Sequence, residues 1–379
     1  MNNAKIWLSS PHMGGSEQKF VQEAFDLNWV APLGPNVKGF EQDLEKYLGE
    51  GNQVAALSSG TAAIHLGLIL LGVKAGDEVI CQSFTFSASA NPILYLGAIP
   101  VFIDSEKDTW NISPGALEEA IKDRIAKGKK PKAIIAVHLY GMPYKVDEIT
   151  EVANRYAIPV LEDSAEALGS RYKGKACGSF GSISALSFNG NKIITTSGGG
   201  ALISRDSAFK ENAVFLATQA RDAAPHYQHS EVGYNYSLSN ICAGIGRGQM
   251  EVLGAHVDAR RSMHDFYIQY FKAIEGVSVF HEPSSDYHSN HWLSAILIDS
   301  SKTCGRTRED LRLALEQENI ESRPLWKPMH LQPIFAIYPY YGGEVAQKLF
   351  DNGLCLPSGS NLTNADRQGI VNVFNYFFK

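Results

Sequence analysis

Between residues 53 and 204 the chain alternates short apolar runs with segments of helical spacing. The runs VAAL, EVICQ, IPVFID, KAIIAVH and IPVLED are apolar at most positions. They lack the in-out alternation of a strand with one wet face and suit strands of a parallel sheet covered on both sides. Helices are expected between them, over 61–71 and from Ser113-Pro114, where serine is an N-cap and proline a first-turn residue. After about Gly254 the pattern becomes a helix over 258–274, strands around 277–280 and 292–298, and a helix near 308–318. The reading is an α/β chain with two domains. Residues 1–254 form a large domain with an N-terminal segment and a mostly parallel central sheet flanked by helices, and residues 255–379 form a smaller α+β domain. No repeat, low-complexity tract or long polar linker separates the two, so they are expected to pack together.

Length supports that division, since 379 residues exceed what one hydrophobic core usually organises. The charge balance, 20% charged residues with a net charge of -6, offers neither a basic face for nucleic acid nor a polybasic membrane patch. Five cysteines, Cys81, Cys177, Cys242, Cys304 and Cys355, are widely spaced and never form a CxxC pair, so reduced thiols are expected and no zinc site. The start, MNNAKIWLSSPHMGGSEQKF, has no signal-peptide core, and no segment reaches the apolar length of a membrane span. A cytoplasmic protein is the expectation.

Polar residues collect where the strands end. Ser58-Ser59-Gly60-Thr61 follow VAAL, Ser83 to Phe86 follow EVICQ, His138 closes KAIIAV and Asp163 closes IPVLE. Open α/β sheets bind ligands beyond those carboxyl ends. The stretch SFNGNKIITTSGGGAL then sets Lys192 before three glycines. A P-loop is excluded by order, because its glycines precede the lysine and Ser or Thr follows it directly. Gly244-Ile245-Gly246-Arg247-Gly248 also fails the dinucleotide fingerprint, and close helix packing explains it better.

The remaining chemistry for Lys192 is a Schiff base with an aldehyde cofactor. Pyridoxal phosphate would need an acid at its pyridine nitrogen, a face on its ring and donors for its phosphate. Asp163 is a candidate for the first, or a helix N-cap; Phe86 for the second, or simply core. Gly60 and Thr61, at a strand-to-helix turn, fit the third, or an ordinary cap, and Ser187 is a further donor or merely a strand end. A hydrolase triad of Ser59, His138 and Asp163 lacks a GxSxG elbow and leaves Lys192 without a role.

In order and spacing, SSGTAA, QSFTF, EDSAEALGS, SFNGNKIITTSGGGAL and GYNYSLSN resemble the DegT/DnrJ/StrS family of sugar aminotransferases, fold-type I pyridoxal phosphate enzymes. The likeness runs from WVAPLGPNVKGFE to KPMHLQPIF. It implies that Lys192 is the cofactor lysine, that Asp163 binds the pyridine nitrogen, that Phe86 stacks on the ring and that Gly60, Thr61 and Ser187 bind the phosphate. It also implies that Asn235 reaches the phosphate of the neighbouring subunit, hence a homodimer with shared sites. Two positions depart from the family pattern: Glu166 stands where many members carry Gln or His near the cofactor's phenolic oxygen, and TTSGGG replaces the commoner TTGEGG. Relatives with histidine in place of the lysine are dehydratases, which Lys192 argues against.

By the same resemblance L-glutamate is the amino donor and a nucleotide-linked keto sugar the acceptor. SSPHMGG, NWVAPLGPN and RPLWKPMHLQPIF look closest to the branch that aminates C4 of a 4-keto-6-deoxy hexose, the UDP-N-acetylbacillosamine and EpsN-like enzymes. GDP-perosamine synthases share much of the pattern. Trp29, Arg323, Lys327 and His330 are the candidate substrate contacts, each with a plain structural alternative. A non-catalytic pyridoxal phosphate-binding regulator would need an output module for which the chain has no spare length.

Overall fold

The computed structural model describes residues 4–379. Seven strands build most of the large sheet: β1 Gln53–Leu57, β2 Glu78–Gln82, β3 Ile99–Ile103, β4 Ala133–Val137, β5 Val160–Asp163, β6 Ile183–Ser187 and β7 Gly200–Ser204. Later in the chain come β8 Val277–Val279, β9 Ser294–Ile298, β10 Arg323–Pro324, β11 Tyr340–Tyr341 and β12 Gly353–Leu356. The large sheet runs β1-β7-β6-β5-β4-β2-β3-β11 and the smaller sheet β8-β9-β12-β10.

Both faces of the large sheet are covered, which is why its strands read as continuous apolar runs. Val79, Cys81, Phe102, Ile135 and Leu161 belong to a core shared with the helix Gly60–Leu70. Ile80, Val101, Ile103, Ile134 and Ala136 pack instead with Leu117, Ile121 and Ile149 from the helices Pro114–Ala126 and Val146–Arg155. Ser113 caps the first of these helices, its Oγ accepting from Ala116 N at 3.3 Å.

The sheet departs from uniform parallel order at β7, which is antiparallel to both β1 and β6. Residues 188–199 contain no crossover helix. A link without one returns the chain beside the strand it left, in the opposite direction. That link carries Lys192, so the antiparallel strand and the lysine turn are one feature.

A second departure is the 32-residue helix Asn240–Phe271, which passes unbroken through the expected boundary at 254/255. Its first half packs on the helices Glu17–Asp26 and Pro35–Leu48. A Cβ on Gly244, Gly246 or Gly248 would meet Asn36 Nδ2 at 2.9 Å, Phe40 at 2.7 Å and Glu17 N at 2.6 Å. Its second half sends Met263, Tyr267 and Phe271 into the core under the smaller sheet. The halves also exchange strands: Ile6 bridges to Ile320, and β11 joins the edge of the large sheet beside β3. Among the described residues no helix is long and apolar enough to cross a membrane.

Candidate functional site

A cavity of about 610 Å³ opens at the carboxyl ends of the parallel strands, where the large sheet meets the smaller one. Gly60, Thr61, Phe86, Asp163, Glu166, Ser187, Lys192 and Arg323 all line it. The strand ends of the large sheet, together with Arg323 at the start of β10 in the smaller sheet, bring together residues from Gly60 to Arg323.

Asp163 and its neighbour Glu162 show how strand alternation divides their work. Glu162 is fully buried and accepts from His138 Nε2 at 2.6 Å, Phe180 N at 2.8 Å, Gly181 N at 3.0 Å and Ser184 Oγ at 2.8 Å. Burial would raise its carboxyl, but the hydrogen bonds from His138, Gly178 and Gly181 overcome that and lower it to about 2. Asp163 lies in the cavity wall instead, with Ser89 Oγ donating to Oδ2 at 2.6 Å and Ala165 N to Oδ1 at 3.1 Å. Burial raises its carboxyl, with Ser89, Ala165 N–H and the Lys192 charge working against it. His138 is therefore committed to Glu162, and Ser59 Oγ caps the next helix by accepting from Ala62 N at 3.0 Å. The Ser59, His138 and Asp163 triad is not assembled.

Lys192 is held from two directions. Its Nζ donates to Glu166 Oε1 at 3.2 Å and lies 4.0 Å from the centre of the Trp292 ring. Glu166 Oε2 accepts from Tyr140 N at 2.7 Å. Burial pushes the Glu166 carboxyl up to about 7, against the charge of Lys192 and the Tyr140 N–H.

At another part of the wall the helix Gly60–Leu70 points its first turn at the cavity, with the Thr61 and Ser187 hydroxyls beside it. Two glycines make the approach possible. A Cβ on Gly60 would meet Ser187 Cβ at 2.9 Å, and one on Gly200 would meet Ser59 C at 2.3 Å and Gly60 N at 2.4 Å. What comes close to Gly200, the last of the three glycines after Lys192, is thus the protein's own backbone at Ser59–Gly60. The result is a concave set of N–H groups at a positive helix end, suited to an anion.

Phe86 is half exposed, and its ring lies 5.5 Å from that of Trp326. Arg323 sits in the wall paired to Glu321 Oε1 through Nη2 at 2.9 Å. Lys327 and His330 lie outside the lining. Lys327 is exposed, whereas His330 Nδ1 meets Ser83 Oγ at 2.7 Å and its ring stacks on Tyr340 at 3.7 Å. Trp29 and Asn235 are exposed and away from this cavity; Trp29 O accepts from Asn240 Nδ2 at 3.1 Å. Sequence reasoning missed Ser89, Trp292 and Trp326. Ser89 lies three residues past the strand-end region Ser83 to Phe86, whereas Trp292 opens the strand expected over 292–298 and Trp326 falls in RPLWKPMHLQPIF, neither with a role assigned to it.

Residues 11–375 match the DegT/DnrJ/EryC1/StrS aminotransferase family. The chain is 52% identical over 378 residues to EpsN of Bacillus subtilis, itself named as an inferred pyridoxal phosphate-dependent aminotransferase, covering 99% of this chain and 96% of that one. It is 36% identical to GDP-perosamine synthase of Escherichia coli O157:H7, with 98% of each covered. Among solved structures, a DegT/DnrJ/EryC1/StrS aminotransferase from Brucella abortus superposes with a TM-score of 0.88 at 30% identity, covering 96% of this chain and 95% of that one. An inferred sugar aminotransferase of Streptococcus pneumoniae in its pyridoxal phosphate form gives 0.89 at 25%, with 99% of each covered.

Proposed function

Because the chain belongs to the DegT/DnrJ/EryC1/StrS aminotransferase family, we propose that it moves an amino group from L-glutamate to C4 of a nucleotide-linked 4-keto-6-deoxy sugar. The acceptor we favour is UDP-2-acetamido-2,6-dideoxy-4-ketohexose. The coarser statement follows from membership itself: the protein is a pyridoxal phosphate-dependent sugar aminotransferase. The observation that carries the transamination is one cavity holding the Lys192 amine, the Asp163 carboxylate and the glycine-hydroxyl cradle together, and the choice of acceptor is supported by the resemblance of SSPHMGG, NWVAPLGPN and RPLWKPMHLQPIF to the 4-aminating branch.

These residues fit the cofactor. The cradle suits its phosphate, because a side chain at Gly60 would fill it and Thr61 and Ser187 add hydroxyl donors. Asp163, oriented by Ser89, would hold the ring nitrogen, and Phe86 would cover the ring face. Bound there, pyridoxal phosphate supplies an aldehyde for the amino group and a ring that takes up the electrons left when a substrate carbon loses its proton. Lys192 would hold that aldehyde, and its free Nζ would carry the proton from the substrate carbon and back. Glu166 Oε1 orients Nζ and, with its raised proton affinity, can hold a proton near neutrality. Arg323's position in the cavity wall supports it as a contact for the sugar or its diphosphate; Trp29, Lys327 and His330 would reach substrate only with movement or from a second copy.

A homodimer completes the reading. Asn235 is exposed, as are Tyr227 and Val232 before it and Phe25, Leu27, Val30 and Leu33 in the N-terminal region. Apolar exposure on this scale supports burial against a partner, where Asn235 would meet the other subunit's phosphate. GDP-4-keto-6-deoxymannose is the second acceptor, supported by the likeness to GDP-perosamine synthase.

Mass spectrometry decides between them. Purified protein with pyridoxal phosphate and L-glutamate is offered the UDP-linked ketone in one tube and the GDP-linked ketone in another. An amino sugar in the UDP tube alone supports the proposal; product in the GDP tube alone transfers the protein to perosamine-type chemistry. Product in neither tube rejects both acceptors.

A further inference from the structure

Trp292 entered the sequence reading only as the start of the strand expected over 292–298, yet its ring lies over the reactive amine. Lys192 Nζ stands 4.0 Å from its ring centre, on a side chain only 11% exposed. A cation over an indole face gains most when water is excluded. Phe86 reaches Trp292 only through Trp326, so the indole over Lys192 is distinct from the expected ring-stacking residue.

The indole is also held more firmly than core packing requires. Its Nε1 donates to Asn191 O at 2.7 Å, tying the ring to the residue before Lys192. Its backbone N donates to Asn290 Oδ1 at 2.8 Å, and its carbonyl accepts from Arg260 Nη1 at 2.7 Å. Asn290 Nδ2 in turn donates to Glu166 O and Leu168 O, both at 2.8 Å. Between Asn290 and Trp292, His291 adopts φ 45°, a left-handed conformation unfavourable for a side chain with a Cβ, and Glu282 meets its Nε2 at 3.1 Å. Strain retained by a ring of fixed partners points to a requirement at the residue it aims.

We infer that Trp292 is a positioning residue for the Lys192 amine: its face, together with Glu166, holds the free ammonium in place while the lysine is detached from the cofactor. The inference rests on the proposed transamination, but its first test does not. In cofactor-free protein at pH 7, Lys192 is reductively methylated with formaldehyde and cyanoborohydride and its rate read by peptide mass spectrometry against other lysines. The neutral amine reacts, so losing the cation-binding face should speed labelling. Trp292→Leu is expected to react about tenfold faster, whereas Trp292→Phe, which keeps a ring but loses the bond to Asn191 O, stays within about twofold of wild type. If Trp292 only fills space, the two variants change together, and that result overturns the inference. Should the leucine variant fail to fold, Trp292→Met carries the same comparison. With cofactor and L-glutamate, the leucine variant should also lose about tenfold in the rate of amino uptake with KM for glutamate little changed. A change confined to KM counts against the inference. Failure of every sugar acceptor would leave the labelling result standing, so the two readings fail separately.

Discussion

Lys192 Nζ and Glu166 Oε1 meet at 3.2 Å in a wall where Glu166 is 4% exposed. Burial has pushed that carboxyl from its ordinary 4.5 up to about 7, the charge of Lys192 notwithstanding. The folded protein therefore binds the Glu166 proton more tightly than the unfolded chain does. Its contribution is fully present below pH 4.5 and is lost as pH rises through about 7, up to about 3 kcal/mol in all. Urea unfolding of cofactor-free wild type and Glu166→Gln should show this directly. The wild-type advantage is expected to shrink between pH 4.5 and 7 and then level. A difference independent of pH would show that Glu166 does not titrate in that window.

Removing the other partner tests the chemistry. Lys192→Ala is expected to lose turnover by a thousandfold or more, on the order of what a positioned acid-base group contributes, with the fold intact. No other described lysine lines the cavity, so no substitute amine stands nearby. The check is amino-sugar formation from L-glutamate alongside thermal unfolding. Full activity in this variant would take the central role from Lys192.

Which parts of this site were readable beforehand follows from where each residue's constraint lies. Gly60, Asp163 and Ser187 sit at strand ends, and the runs preceding them announce those ends locally. The lysine turn was visible as a lysine before three glycines, although its partner was not: the Gly200 constraint comes from Ser59 and Gly60, about 140 residues earlier. The same distance problem hid Trp292 and Trp326, whose relation to Lys192 and Phe86 exists only after the smaller domain packs on the larger. The antiparallel β7 was hidden differently. Its GALIS run is as apolar as a parallel strand because it too lies between covered faces, and only the missing crossover helix betrays its direction.

The glycines after Lys192 make a paired prediction. Gly200→Ala places a Cβ 2.3 Å from Ser59 C, where only backbone movement relieves it, and the backbone that must move forms the anion cradle. A loss of about 2–3 kcal/mol is expected, together with weaker retention of pyridoxal phosphate. Gly198→Ala meets nothing within 4 Å and should stay within about 0.5 kcal/mol of wild type. Urea unfolding and cofactor titration of both variants supply the comparison. Equal effects would show that the close approach to Ser59 is not what fixes glycine at 200.

Glu162 should behave oppositely to Glu166. Burial works to raise its carboxyl, yet His138 and the backbone donors of Gly178 and Gly181 bring it down to about 2. The folded state thus favours the ionised form, and its contribution is present above pH 4.5 and lost as pH falls through about 2. Glu162→Gln breaks a buried hydrogen-bonded pair and is expected to cost about 3–5 kcal/mol at pH 7. The deficit should narrow at pH 3, where the unfolded wild-type chain already binds the proton that folded Glu162 still excludes. Because Glu162 and His138 do not line the cavity, the folded variant should keep kcat within a few-fold below its unfolding temperature. Activity lost without stability lost would place the Glu162–His138 pair in the chemistry instead of beneath it.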